Sequence, residues 1–172
     1  MMNIAQQLID AGLPVECITT LDDESGVVLL HPSDRNDADR ATAQAIADAA
    51  WLSHRKAAAL AVAQAEYVAA GETGVDIDAS DLVSVGRAVR MRYVPDALAN
   101  YQEVATLITL AGAALPGVVL WDADGAELTL TVADAGALIA RYAAAVAQVK
   151  VAYMQRQAAI NAAESIAALE AL

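Results

Sequence analysis

Residues 118–134 read VVLWDADGAELTLTVAD. An apolar run leads into a turn at Asp124 and Gly125, and an alternating run follows it. Asp-Gly between two such runs is the strongest short signal for a β-hairpin. Thr131, with Asp134 three positions later, matches the start of a helix with a capping box. The stretch therefore predicts two paired strands, 118–121 and 127–130, followed directly by a helix.

The same order of elements occurs near the N-terminus. Periodicity and turn residues there predict a short helix, two strands and a long Ala-rich helix, at residues 2–11, 15–19, 26–31 and 37–70. Asp22 to Gly26 supplies the turn between the strands, because Asp bonds locally and Gly permits positive φ. The chain therefore repeats one unit of architecture, and no catalytic motif is repeated with it.

A polar stretch separates the two units. Gly71 and Gly74 break the first long helix, and three aspartates follow within a few residues. We therefore predict an α+β protein of two helix–β-hairpin–long-helix modules, at residues 1–72 and 85–172. Residues 73–84 are the predicted linker between them. The second module has an extra strand, predicted over 85–94, and Pro95 begins its first helix.

The last long helix carries the clearest apolar stripe. Its members follow alternating steps of three and four residues: Ile139, Tyr142, Val146, Val149, Tyr153, Arg156 and Ile160. This spacing is typical of a coiled-coil seam of about three heptads. We therefore predict coiled-coil-like packing of the Ala-rich helices, and we take the five apolar members from Ile139 to Tyr153 as candidates for an interface or for the core.

Composition argues against several classes of function. The chain has 10 basic and 22 acidic residues and a net charge of −12. Nucleic acids and anionic membrane surfaces bind basic surfaces, so neither is an expected partner. No uncharged apolar run reaches about 18 residues, so we expect no transmembrane helix. The single cysteine, Cys17, excludes an internal disulfide and a cysteine metal cluster.

Three arginines stand close together in the predicted strand 85–94. Alternation places Arg90 and Arg92 on one face and Arg87 on the other. One interpretation is a contact with an acidic partner or a phosphate. The simpler interpretation, which we favour, is pairing with the chain's own surplus carboxylates. Arg90 and Arg92 are kept as interface candidates.

No residue pattern predicts catalysis, a cofactor or a metal. His31 and His54 lack the Cys, Ser or His neighbours of a triad or a zinc site. The acidic residues stand in short turns or in the polar stretch, where turn chemistry and solvated charge explain them better than calcium coordination does. No glycine-rich phosphate loop occurs. We therefore expect a protein that is not an enzyme and that has no catalytic, cofactor-binding or metal-binding residues.

The C-terminal half resembles an uncharacterised domain family of tailed-bacteriophage tail-fibre and tail-accessory proteins. The resemblance covers about residues 85–172 and rests on a helix around 100–110 and on four runs: VRMRY at 89–93, VLWDADG at 119–125, LTVAD at 130–134 and QAAINAA at 157–163. The N-terminal run IAQQLIDAGLPVE, at 4–16, is similar to another phage-typical segment.

The resemblance implies a non-enzymatic structural component of a phage tail, at the fibre or the baseplate. Such a protein would be made in the bacterial cytoplasm, reside in the virion and bind other tail proteins. It would form a homo-oligomer, for which we expect a trimer. Two alternatives stay open: a tail-fibre assembly chaperone that leaves before maturation, and a small enzyme or host-directed inhibitor.

Overall fold

A computed structural model describes residues 7–8, 10–11, 17–20, 27–30 and 37–172 of the chain. Its strands are β1 Cys17–Thr20, β2 Val27–Leu30, β3 Val75–Ile77, β4 Val89–Met91, β5 Val118–Trp121 and β6 Glu127–Leu130. Its helices are α1 Asp37–Thr73, α2 Pro95–Ala111, α3 Val132–Ala162 and α4 Ile166–Glu170, with a 3-10 turn at Gly112–Ala114. The strands pair antiparallel as β1–β2, β3–β4 and β5–β6. The fold is α+β.

The hairpin predicted from residues 118–134 is confirmed. Strands β5 and β6 pair with Leu120 opposite Leu128 and with Trp121 opposite Glu127. Leu120 and Leu128 are buried, whereas Val119 and Trp121 lie on the outer face. Thr131 caps the start of α3 as predicted, since its Oγ1 accepts a hydrogen bond from Asp134 N at 3.1 Å. The capping box is not completed, because Thr131 N donates to Ser84 Oγ and not to Asp134.

The N-terminal elements follow the predicted order within the described residues. Gln7, Leu8 and Asp10 are helical, and Leu8 is buried. Strands β1 and β2 pair within one or two residues of the predicted positions and precede α1, which starts at Asp37 as predicted. The predicted turn at 22–26 lies outside the described residues.

Residues 73–84 differ from the expected linker. They contain β3, and Ile77, Ala79 and Leu82 are buried in the hydrophobic core. Strand β3 pairs with β4, with Ile77 opposite Val89. Residues 73–84 are part of the folded unit because apolar residues alternate with the aspartates. The apolar side chains therefore pack in the core, and the carboxylates lie on the surface.

The strand expected over 85–94 is shorter than predicted. Only Val89–Met91 is strand, because the backbone N–H groups of Val85 and Gly86 both donate to Leu82 O and turn the chain.

The end of α1 lies close against β4. Gly74 has φ +90°, and a Cβ atom there would stand 2.7 Å from Met91 O. Only glycine suits this position.

The chain divides into two compact units, and their boundaries differ from those expected. One unit comprises residues 1–61 and 159–172, and the other comprises residues 62–158. The buried apolar side chains described in the first are Leu8, Ala43, Ala47, Ile160, Ala163 and Leu169. Within this unit, Arg55 pairs with Glu170 at 3.3 Å, and Lys56 Nζ donates to Asn161 O at 2.7 Å.

The second unit has the larger described core. Every strand and helix from β3 to α3 contributes buried side chains to it, among them Ile77, Val89, Met91, Tyr101, Leu120, Leu130, Leu138 and Tyr142. Two rings lie at its centre, since Tyr101 and Tyr142 meet edge to face with centroids 4.7 Å apart. The second unit therefore supplies the frame for the surfaces described below.

Helix α3 meets the length and composition expected of a membrane-spanning helix, and it is the one described helix that does. The sequence had argued against such a helix because Arg141 and Lys150 interrupt the apolar run. In the structure, Arg141 is bound to Asp81 and Tyr142 is bound to the backbone of Arg92. These contacts hold α3 to the rest of its own unit.

Candidate interaction surfaces of the second unit

The turn between β5 and β6 is built around Asp122. Its side chain is 4% exposed and accepts hydrogen bonds from Asp124 N at 3.1 Å and from Ala126 N at 2.8 Å. Arg87 donates to the other carboxylate oxygen at 3.1 Å. Burial alone would raise the pKa of Asp122, but these hydrogen bonds outweigh it and hold the pKa below its ordinary value of 3.8. The carboxylate is therefore a structural anchor for the turn.

Replacing Asp122 tests that anchor. We expect Asp122→Ala to lower the free energy of unfolding by about 2–3 kcal/mol, because two backbone N–H groups and Arg87 lose their acceptor. A lowered folded-state pKa stabilises the protein above the unfolded pKa of about 3.9, and this contribution is lost as pH falls through the folded value. Urea unfolding between pH 7 and pH 3 should therefore show a weaker acid dependence in the variant.

The matched control for this change is Asp124→Ala, two residues along the same turn. Asp124 is exposed, and its side chain makes no salt bridge with a described residue. We expect its replacement to change stability by less than about 0.5 kcal/mol. Equal losses for the two variants would contradict the anchoring role of Asp122.

Two of the three arginines form salt bridges, and the third forms none with a described residue. Arg87 pairs with Asp122, and Arg90 forms a two-point pair with Asp76 at 2.8 and 3.3 Å. Burial alternates from Val89 to Tyr93, so Arg90 and Arg92 share the exposed face. The Arg92 side chain makes no salt bridge or hydrogen bond within the described residues. Pairing with the chain's own carboxylates therefore explains Arg87 and Arg90, and the Arg92 side chain is left available to a ligand or a partner.

A polar groove lies beside Arg92. We use this name for a cavity of about 610 Å³ whose principal side chains are Arg92, Asp96, Asn100, Trp121 and Asp124. Arg92 directly follows β4, Asp96 and Asn100 belong to the first half of α2, and the β5–β6 hairpin supplies the others. Trp121 is 51% exposed. Sequence analysis identified Arg92 as a candidate but not Trp121 or Asn100, because nothing in the sequence indicates that the β5–β6 hairpin lies beside the start of α2.

The predicted seam of α3 mostly contacts its own chain. Tyr142 is 3% exposed and donates a hydrogen bond to Arg92 O at 2.9 Å. Tyr153 stacks on Tyr67 of α1 with centroids 4.5 Å apart. The remaining apolar candidates are partly buried and pack against the core: Ile139, Val146 and Val149. Four of the five apolar candidates therefore belong to the core or pack against it, and Tyr153 contacts α1.

A different face of α3 is exposed. We call it the outer stripe; its members are Ala140, Ala143, Ala147, Val151, Met154 and Ala158, all exposed. Their steps of three, four, four, three and four residues repeat every eleven positions, so the stripe follows one side of the helix with a slight right-handed drift. At 1.5 Å per residue the stripe is about 27 Å long. The sequence did not point to this stripe, because four of its six members are alanines that differ little from the alanines on the other faces of α3.

The outer stripe borders an apolar groove between α2 and α3. This cavity has a volume of about 370 Å³ and is lined by Leu98, Tyr101, Gln102, Ala105, Ile139, Tyr142, Ala143, Val146 and Ala147.

Helix α3 also has an unusual charge for this chain. Its only acidic residue is Asp134 in the first turn, whereas Arg141, Lys150 and Arg156 follow. The exposed face of α3 is therefore apolar and weakly basic on a strongly acidic protein.

Polar contacts fix α3 to the segment that precedes β4. Arg141 holds Asp81 in a two-point pair at 2.6 and 2.7 Å, and this guanidinium lowers the pKa of Asp81 to about 2. Asp134 accepts a hydrogen bond from Ser84 N at 2.9 Å, and Ser84 Oγ accepts one from Thr131 N at 3.1 Å. These bonds set the orientation of the outer stripe on its unit.

Other site chemistry is sparse in the described part of the chain. There, no three His, Cys, Asp or Glu side chains gather closely enough to hold a metal ion. His54 stacks on Trp51, with ring centroids 5.6 Å apart, on the surface of α1. His31 lies outside the described residues. The surfaces that remain as candidates are the polar groove, the apolar groove and the outer stripe.

No protein-family model, curated protein or solved structure matches this chain significantly.

Proposed function

We propose that this protein is a non-enzymatic structural component of a bacteriophage tail, associated with the fibre or the baseplate. The observation that carries the proposal is the outer stripe: six exposed apolar residues along about 27 Å of α3. An exposed apolar surface of this kind, rimmed by polar residues, is typical of a protein–protein interface. The phage assignment rests on the resemblance of residues 85–172 to tail-fibre and tail-accessory domains.

The partner we propose is another copy of the chain. An identical stripe on each copy can face itself across a symmetry axis, as in most homo-oligomers. Alanines at Ala143 and Ala147 allow close approach of the backbones, and Val151 and Met154 supply the larger contacts. A trimer remains our proposal for the number of copies, and other tail proteins are the proposed further partners.

We also propose that the two halves are related modules. Hairpin β1–β2 precedes α1, as hairpin β5–β6 precedes α3, and both helices exceed 30 residues. Side-chain contacts between α1 and α3 within the second unit support coiled-coil-like packing: Tyr67 with Tyr153, Gln64 with Tyr153, and Glu66 with Arg156. In this proposal one face of α3 packs against its own chain, and the outer stripe contacts a neighbouring copy.

Mass spectrometry of purified virions tests the location. We expect peptides of this protein in the mature particle, in fixed proportion to an established tail protein across independent preparations. A chaperone would be present in infected-cell lysate and missing from virions. That result would contradict the structural role and would leave the assembly-chaperone alternative. Lysate from the same infection is the control, because it shows that the peptides are detectable.

A further inference from the structure

The polar groove gathers side chains with complementary hydrogen-bonding abilities. Arg92 can only donate, Asp96 and Asp124 can only accept when ionised, and Asn100 can do both. Within the described residues, none of these four side chains forms a salt bridge or a hydrogen bond. Four polar groups around one cavity of about 610 Å³ are therefore available to a ligand.

Trp121 adds an apolar surface to the same cavity. It is 51% exposed, and no ring of a described residue stacks on it. A large exposed aromatic side chain is costly to leave in water and is common in binding sites. Val119, its neighbour on the outer face of β5, does not line the cavity. The groove therefore has one aromatic side chain with polar groups around it.

The groove is held in place by bonds that do not involve its ligand-facing groups. Tyr101 Oη donates to Trp121 O at 3.3 Å, and Ala123 N donates to Arg90 O at 2.7 Å. The Asp122 anchor fixes the turn that carries Asp124. Asp96 and Asn100 are one helical turn apart on α2, so they lie on the same face. A site fixed in advance loses little conformational entropy on binding.

We propose that the polar groove binds a neutral saccharide. Sugar hydroxyls both donate and accept, which suits a mixture of Arg, Asp and Asn, and the C–H face of a pyranose is an apolar surface that suits Trp121. The groove has one positive and two negative side chains, and a ligand with hydroxyl groups can accept from the first and donate to the other two. The chain's net charge of −12 repels anions, and a cationic group, although attracted by that charge, offers no acceptor to Arg92. This inference does not depend on oligomerisation or on a place in a phage tail.

Saturation-transfer NMR and calorimetric titration test the proposal. The probes are disaccharides of glucose, galactose, mannose and N-acetylglucosamine, with N-acetylneuraminic acid and trilysine as charged comparisons. We expect saturable binding of at least one neutral disaccharide, with a dissociation constant of about 1 mM. Trp121→Ala should weaken it at least tenfold, and Arg92→Ala or Asn100→Ala about threefold or more.

Matched variants separate the groove from the rest of the surface. Val119→Ala changes the same face of β5, and Arg90→Ala removes an arginine that is already paired with Asp76. Both should bind within about twofold of wild type, and circular dichroism should show every variant folded. The proposal is overturned by absence of saturable binding to all four disaccharides. It is also overturned by unchanged binding in folded Trp121→Ala together with Asn100→Ala, or by tighter binding of either charged probe.

Discussion

Leu138→Ala should lower the free energy of unfolding by about 3 kcal/mol. Leu138 is 0% exposed and belongs to the cluster that joins α3 to strands β3 to β6. Its truncation removes buried methyl groups and leaves a cavity that a close-packed core closes only in part. Urea unfolding followed by circular dichroism measures the effect, and the midpoint should fall while the slope stays constant.

Leu110→Ala is the matched control for this change. It is the same substitution in a helix, but Leu110 is 79% exposed. We expect a change of less than about 0.5 kcal/mol, because little buried area is lost. If Leu138→Ala were as mild as Leu110→Ala, the core of the second unit would not be where the structure places it.

Local signals in the sequence were sufficient for the hairpins and the long helices. Asp124 and Gly125 mark the β5–β6 turn, and Thr131 marks the start of α3, where its Oγ1 accepts from Asp134 N at 3.1 Å. The β3–β4 pair was missed because its strands are separated by a turn-rich segment and β3 is only three residues long. Val75 and Ile77 alternate with Asp76, and this short alternation was the available signal.

The two faces of α3 could not be assigned from the sequence. Alanine is the commonest residue of the helix, and the heptad seam and the outer stripe are both apolar. Which face is buried depends on the aromatic partners Tyr67 and Tyr101, which come from distant parts of the chain. The polar groove was unpredictable for the same reason, since it forms only when α2 and the β5–β6 hairpin come together.

Val151→Asp combined with Met154→Asp should dissociate the proposed oligomer. Both side chains are more than half exposed, at 52% and 56%, so their replacement leaves the core intact. Two carboxylates per copy would be forced into an apolar interface, and each such burial costs several kcal/mol unless the charge is paired. Circular dichroism should show an unchanged helix content, because the exposed positions tolerate aspartate within the monomer.

The control is Val83→Asp combined with Leu172→Asp. These two apolar residues are also exposed, at 95% and 58%, and neither belongs to the outer stripe. The control adds the same number of negative charges to an already acidic protein. It therefore separates a specific effect on the stripe from general electrostatic repulsion between copies, and it should retain the oligomeric state of wild type.

Size-exclusion chromatography with light scattering, at micromolar concentration, tests the central claim most directly. The chain has a mass of 17.8 kDa. We predict a defined oligomer for wild type and for the Val83/Leu172 control, and a monomer for the Val151/Met154 variant. A monomeric wild-type protein, or an oligomer that survives both aspartates on the outer stripe, would contradict the account.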